Sequence, residues 1–179
     1  MENKKELRKW LDDMKLSHPL LIAGPCSAET ETQVLEIANE LKATDTNIYR
    51  AGIWKPRTRP GNFEGVGSLA LDWLNKVKKD TGILTTTEVA NPNHVELALQ
   101  NNIDILWIGA RTTVNPFIVQ EIAESLKGTD KIILINNPVN PDLSLWLGAI
   151  ERFYTSNIKN IGAIPVSYTH LTLPTSSVV

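Results

Sequence analysis

The sequence predicts an α/β fold around a buried parallel sheet. Short apolar, β-rich runs recur roughly every 25 residues, and each is followed by a segment of helical period. The strand runs are nearly continuous in apolar residues, as expected of strands covered on both faces. Two closures fit, an open doubly wound sheet and a (β/α)8 barrel, which usually needs about 200 residues or more. The chain has 179, so a barrel would show about its first six strands here and lack about two βα units. No G-x-G-x-x-G follows the first strand, so the dinucleotide-binding version of the open sheet has no support.

The elements follow in order. Residues 1–19 read as a polar N-terminal helix or extension and 20–164 as the barrel domain. "LLIAGPCS" (20–27) reads as a buried strand ending in a turn. The next helix buries Val34, Ile37, Ala38 and Leu41, and Thr30 with Gln33 has capping-box spacing at its start. "NIYRAG" is the second strand. The second helix turns Ala70, Trp73, Leu74 and Val77 inward and stops at Gly82. "ILTTTEV", "DILWIGA" and "KIILINNPV" are each followed by Asn-Pro, at 91–92, 115–116 and 140–141. In each pair Asn is expected to cap the next helix while Pro takes its first position, where a missing N–H costs nothing. Those helices present Val95/Ala98/Leu99, Val119/Ile122/Ala123/Leu126 and Trp146/Ile150/Phe153. "IKNIGAI" is the sixth strand. After Ile164 the pattern stops. Residues 165–179 are rich in Ser and Thr and have no helical period. They read as non-native sequence, similar to translated adaptor or vector, with a disordered native tail as the alternative.

Composition narrows the function classes. Formal charge is -2, with 42% hydrophobic and 21% charged residues. No basic excess is available for general binding to nucleic acid or a membrane surface. One cysteine allows no internal disulfide, the N-terminus has no signal-peptide pattern, and no apolar run is long enough to span a membrane. The expected location is the cytoplasm.

In parallel α/β folds ligands bind at the C-terminal ends of the strands. Those ends carry Cys26, then Arg50 with the Lys55, Arg57 and Thr58 loop, then Glu88, Arg111, and Asn136 with Asn137. No acid lies between Asp45 and Glu64. Guanidinium groups pair bidentately with phosphate and carboxylate, and lysine adds a compact charge. The pattern therefore points to a small phosphorylated or carboxylated metabolite. The bland alternative is a solvated basic loop, which Arg111 on a separate strand end disfavours. Cys26 alone is more often a buried small side chain than a ligand, but its strand-end setting would suit a metal. No second ligand is evident: His18 precedes the first strand, His94 falls in a helix and His170 in the tail. Glu88 suits either a core ion pair or a site acid. Trp54, Trp107 and Trp146 read as packing residues.

"IAGPCS", "RAGIWKPRTRPGNFEGVG", "TEV", "IGARTT" and "NPVNPDLSLW" together resemble 3-deoxy-D-arabino-heptulosonate 7-phosphate (DAHP) synthase. These motifs run in order through residues 20–164, closest in wording to bacterial forms with a chorismate mutase domain after the barrel. The resemblance implies a (β/α)8 barrel and a carbon–carbon bond-forming transferase. That enzyme condenses phosphoenolpyruvate with erythrose 4-phosphate and releases phosphate, the first step of the shikimate pathway. It implies that Arg50 and Arg111 hold phosphoenolpyruvate, with backbone contacts from Gly109 and Ala110. Lys55 would lie between the substrates, and Pro56, Arg57 and Thr58 would hold erythrose 4-phosphate. Glu88 would orient a water or the lysine. Cys26 would be one of four ligands to a divalent ion of manganese, iron, cobalt or zinc type, and the full-length enzyme would be a homo-oligomer.

Two departures stand out. The family usually has lysine where this chain has Asn136. It also continues past "GAI" to its His, Glu and Asp metal ligands and a further arginine, where this chain runs into the Ser/Thr-rich tail. The chain as written is therefore expected to be a truncated, inactive and aggregation-prone fragment of such an enzyme. The competing readings are a 3-deoxy-octulosonate 8-phosphate synthase, against which the K-P-R-T loop argues, and a non-catalytic phosphate-binding domain.

Overall fold

Strand order decides between the two closures. The computed structural model describes residues 9–16, 19–57 and 59–165. Among them six strands form one sheet in the order β1-β2-β3-β4-β5-β6, and every neighbouring pair is parallel. They are β1 (Ile22–Ala23), β2 (Ile48–Arg50), β3 (Leu84–Val89), β4 (Ile105–Ile108), β5 (Ile132–Asn136) and β6 (Ile161–Ile164). A doubly wound sheet reverses its strand order partway across. Here the order never reverses, so successive right-handed crossovers carry the helices to one side of the sheet. This is a six-stranded arc of a (β/α)8 barrel wall. Ile22 of β1 and Ile164 of β6 line one common cavity, so the arc wraps around its interior.

The period-2 alternation of the strands builds two cores. Ile48, Ile105, Trp107 and Leu134 point into the barrel and form a small inner cluster. Tyr49, Val89, Leu106, Ile108, Ile133 and Ile135 point outward into a larger cluster shared with the helices. The seam includes Tyr49 Oη donating to the Val34 carbonyl at 2.8 Å. A fully buried side chain such as Phe153 contributes about 1.5–3 kcal/mol relative to exposure.

The N-terminal helix α1 (Lys9–Asp13) closes the end of the barrel opposite the strand C-termini. Trp10 and Met14 pack against the inner cluster, and Trp10 Nε1 donates to the Ile161 carbonyl at 3.1 Å. Gly162 makes this possible, because a Cβ there would lie 2.7 Å from Leu134 Cδ2 and 3.1 Å from the Trp10 ring.

The outer helices mostly begin where the sequence predicts. Helix α2 (Glu31–Leu41) is capped by Thr30, whose hydroxyl accepts from Gln33 N. Helix α3 (Leu69–Thr81) stops at Gly82 in the left-handed conformation, φ 75°. Helices α4 (Pro92–Gln100) and α6 (Pro116–Ser125) use Asn91 and Asn115 as caps with Pro at the first turn. Between β4 and α6 lies the one-turn helix α5 (Ala110–Thr113), which the sequence did not reveal.

One expectation needs correction and one is narrowed. Asn140 and Pro141 do not open α7 (Leu143–Thr155). Asp142 caps it, its side chain accepting from Leu145 N. A carboxylate is as good a cap as asparagine, and its position leaves Asn140-Pro141 in the preceding loop. Within the 20–27 stretch, expected as a strand ending in a turn, the strand itself is only Ile22–Ala23. Gly24 ends it with φ 139°, and a Cβ at that position would lie 2.1 Å from the Arg50 carbonyl oxygen. The chain crosses β2 there too closely for any side chain, so Cys26 sits in the loop beyond. Residues 166–179, and with them His170, lie outside the described residues, as does His18.

Candidate active site

Arg50 ends β2 on the inward side, two residues after Ile48. Its guanidinium carbon lies 4.9 Å from the centroid of the Trp107 ring, a cation–π contact worth about 0.5–2 kcal/mol. Its Nε is buried with no hydrogen-bond partner, as is Oγ1 of Thr86, the residue paired with Arg50 across β2 and β3. Buried donors are seldom left unsatisfied in folded proteins, so an Arg50 side chain that lines a cavity with its Nε unpaired suits an anionic ligand.

Lys55 comes to the same place by a pinned loop. Its backbone N–H donates to the Glu64 carbonyl at 2.8 Å, and Gly67 N–H donates to the Ile53 carbonyl at 2.9 Å. Arg57 Nε holds the Phe63 carbonyl at 2.8 Å. The Lys55 ammonium donates to the Cys26 carbonyl at 2.8 Å and lies 3.3 Å from the Cys26 sulfur. Gly52 leaves the space for this, since a Cβ there would fall 2.5 Å from the Cys26 oxygen and 3.1 Å from the ammonium.

Glu88 enters from β3 at 9% exposure. Burial pushes its pKa up, opposed by the Lys55 charge, a Trp107 hydrogen bond, Arg111 and Arg50. Below the ordinary value of 4.5 the carboxyl is neutral in both folded and unfolded chains. Above it the unfolded chain gives up its proton first, so the folded chain binds more protons and loses stability as pH rises through the raised folded pKa. Glu88→Gln is therefore expected to melt like the parent below pH 4.5 and to gain on it as pH rises towards neutral. Parallel pH–melting curves would contradict this.

Gly109, the cap of α5, lies against the same acid. Beyond it, Thr113 Oγ1 sits 3.1 Å from the Gly109 carbonyl and 3.0 Å from the Asn136 carbonyl, tying the ends of β4 and β5 together.

Cys26, Arg50, Lys55, Glu88 and Asn136 thus converge on one cavity of about 350 Å3, with Thr86 and Trp107 in its wall. Arg111 is not among its lining residues. It is exposed on α5, and its charge reaches Glu88. Ala110 is buried beside it. Pro56 and Arg57 line a second cavity of about 360 Å3, shared with Trp54, Lys55, Glu64 and His94. Thr58 lies outside the described residues. Asn137 is buried, its amide donating to the Pro138 carbonyl at 3.2 Å.

Trp107 and Thr86 are the residues that sequence reasoning missed. Trp107 was read as packing alone, yet it forms the floor under Arg50. The signal was the register: Trp107 pairs with Glu88 across β3 and β4, so an inward Glu88 implies an inward Trp107.

Among the described residues no group of three or more His, Cys, Asp or Glu side chains gathers into a metal-holding set. Cys26 is an exposed free thiol. One thiolate does not hold an ion by itself, so the described residues do not make a metal centre.

Residues 15–170 match the DAHP synthetase I family. Over 107 residues the chain is 33% identical to phospho-2-dehydro-3-deoxyheptonate aldolase of Thermotoga maritima, a match covering 59% of this chain and 31% of that protein. Over 98 residues it is 39% identical to 2-dehydro-3-deoxyphosphooctonate aldolase of Desulfatibacillum aliphaticivorans, covering 51% and 36%. The crystal structure of the Thermotoga maritima DAHP synthase superposes with a TM-score of 0.69 at 26% identity, covering 80% of this chain and 40% of that one. The chain thus spans roughly a third of the length of the curated relatives it matches. DAHP synthases are carbon–carbon bond-forming enzymes and are generally metal-dependent. The family match over most of the chain, the barrel wall shared with the Thermotoga enzyme and the basic strand-end cavity agree: this chain belongs to the DAHP synthetase I family.

Proposed function

We propose that this chain carries the phosphoenolpyruvate and erythrose 4-phosphate site of a DAHP synthase. The observation that carries the reading is the Trp107-backed guanidinium of Arg50, its Nε unpaired, lining one cavity with Lys55. Arg50 and Arg111 hold the phosphate and carboxylate of phosphoenolpyruvate, with the backbone of Gly109 and Ala110 beside them. Pro56 and Arg57, which line the adjoining cavity, hold erythrose 4-phosphate together with Thr58. Lys55 borders both cavities, where its ammonium can polarise the aldehyde oxygen. Carbon 3 of the enol phosphate then attacks the aldehyde carbon, and the aldehyde oxygen takes up a proton. Water held by Glu88 adds to C2, and cleavage of the C2–O bond releases inorganic phosphate and leaves the ketone. Fixing two anionic substrates in line is where most of the acceleration arises.

Cys26 is proposed as one donor to a divalent ion of manganese, iron, cobalt or zinc type. The same reading makes the full-length enzyme a cytoplasmic homo-oligomer.

The test, made on a chain that carries the complete (β/α)8 barrel, is release of inorganic phosphate from phosphoenolpyruvate with either aldose as co-substrate. Erythrose 4-phosphate is expected to support turnover and arabinose 5-phosphate is not. The reverse result would favour the second reading, an octulosonate 8-phosphate synthase, which the 39% identity to the Desulfatibacillum aldolase motivates.

Asn136 lines the cavity where the family usually has lysine. Asn136→Lys restores a cation facing the anion and is expected to lower the KM for phosphoenolpyruvate by about tenfold, a charge-assisted bond being worth roughly 1.5–3 kcal/mol. An unchanged or raised KM would show that position 136 does not meet the substrate.

A further inference from the structure

His94 lies outside the cavity that holds Arg50 and Glu88, in the first turn of α4. Asn91 caps that turn and accepts from His94 N at 2.9 Å. The imidazole Nδ1 in turn accepts from the backbone N–H of Ala90 at 3.3 Å. Burial lowers the imidazole pKa and so favours the neutral ring, and the bond accepted by Nδ1 places its proton on Nε2. The ring lies flat on the indole of Trp54, centroids 4.1 Å apart and planes within 6°. Trp54 immediately precedes Lys55 in the chain, and its indole packs on the main core. Ala90 is two residues beyond Glu88. One imidazole therefore joins the end of β3, which carries Glu88, to the loop from β2, which carries Lys55.

We infer that His94 is a positioning residue for Lys55, acting through its stack on Trp54. The inference rests on the proposed role of Lys55 between the two substrates. The stack limits rocking of the Trp54–Lys55 backbone, and the bond from Ala90 sets the plane of the ring. Without it the ammonium keeps its Cys26 contacts but loses the support behind it. Misplacement of a reacting group by about 1 Å can cost roughly a hundredfold in rate. Phosphoenolpyruvate sits on Arg50 and is not touched by this change.

Three variants separate the two contacts. His94→Ala removes both. His94→Phe keeps the stack and loses the acceptor, and His94→Asn keeps an acceptor oxygen and loses the stack. For phosphate release with both substrates, His94→Ala and His94→Asn are expected to lower kcat about ten- to a hundredfold, with the KM for phosphoenolpyruvate within about twofold. His94→Phe is expected to recover most of the loss. A second measurement needs no turnover. Lysines are labelled with pyridoxal 5′-phosphate and borohydride and mapped by mass spectrometry. Labelling of Lys55 relative to Lys127 is expected to change severalfold in His94→Ala and to return towards the parent value in His94→Phe.

Unchanged kcat and labelling in His94→Ala would overturn the inference. So would a loss in His94→Phe equal to that in His94→Ala, or a kcat that only tracks the fraction folded. If phosphate is released only with an aldose other than erythrose 4-phosphate but the Lys55 labelling pattern follows the stack, the DAHP synthase reading fails while His94 still positions Lys55.

Discussion

Lys55→Met is expected to lower kcat for phosphate release by about 10²–10³-fold, the usual cost of removing one preorganised group aimed at developing charge. Among the described residues the ammonium donates to the Cys26 carbonyl and sulfur, so little of the fold depends on it. The melting temperature should therefore stay close to that of the parent while turnover falls. Lys55→Arg should not rescue. The space beside the ammonium is set by Gly52, whose missing Cβ would already be 3.1 Å from Nζ, and a guanidinium is wider. A Lys55→Met enzyme with parental kcat would remove lysine from the chemistry and leave Arg50 and Arg111 as simple anion holders. A large drop in melting temperature would point instead to a structural lysine.

Gly109→Ala is the second large effect, and it acts through packing. Gly109 has φ -71° and ψ 158°, a backbone that alanine adopts freely, so no cost comes from conformation. The added Cβ would fall 1.9 Å from Glu88 Oε1 and 2.5 Å from its Cδ. The clash is with the end of the Glu88 side chain, which lines the cavity, so relief comes from displacing the carboxyl into that space. Overpacking of this kind costs about 1–3 kcal/mol, and displacement of the acid should lower kcat about a hundredfold. A double-mutant cycle isolates the cause. In a Glu88→Ala background the Gly109→Ala change should cost almost nothing in stability, because the two side chains no longer compete for one volume. Additive losses would show that the glycine is required for another reason, such as backbone approach of a ligand.

The comparison between sequence and structure divides along physical lines. The helix caps at Thr30, Asn91 and Asn115 and the stop at Gly82 were legible because each rests on local chemistry: a side-chain oxygen meets an N–H a few residues away, or a glycine adopts a positive φ. The Asn140 cap failed because two good capping residues stand within one turn of each other, and the packing of α7 on the sheet chooses between them. Strand β1 is shorter than its apolar run because Leu20 and Leu21 precede the residues that pair with β2.

The sequence by itself determined the repeating βα plan, the strand-end positions of Arg50 and Glu88, and the basic character of the loop that carries Lys55. Period and charge are properties of the chain that need no neighbours. Only the tertiary structure decided that the strand order never reverses, since sheet order is set by long-range pairing. It also decided that Trp107 lies under Arg50, that Gly109 exists to make room for Glu88, and that His94 reaches Trp54. Each of these is a contact between different βα units, and its partner is chosen by the register of parallel strands rather than by spacing along the chain.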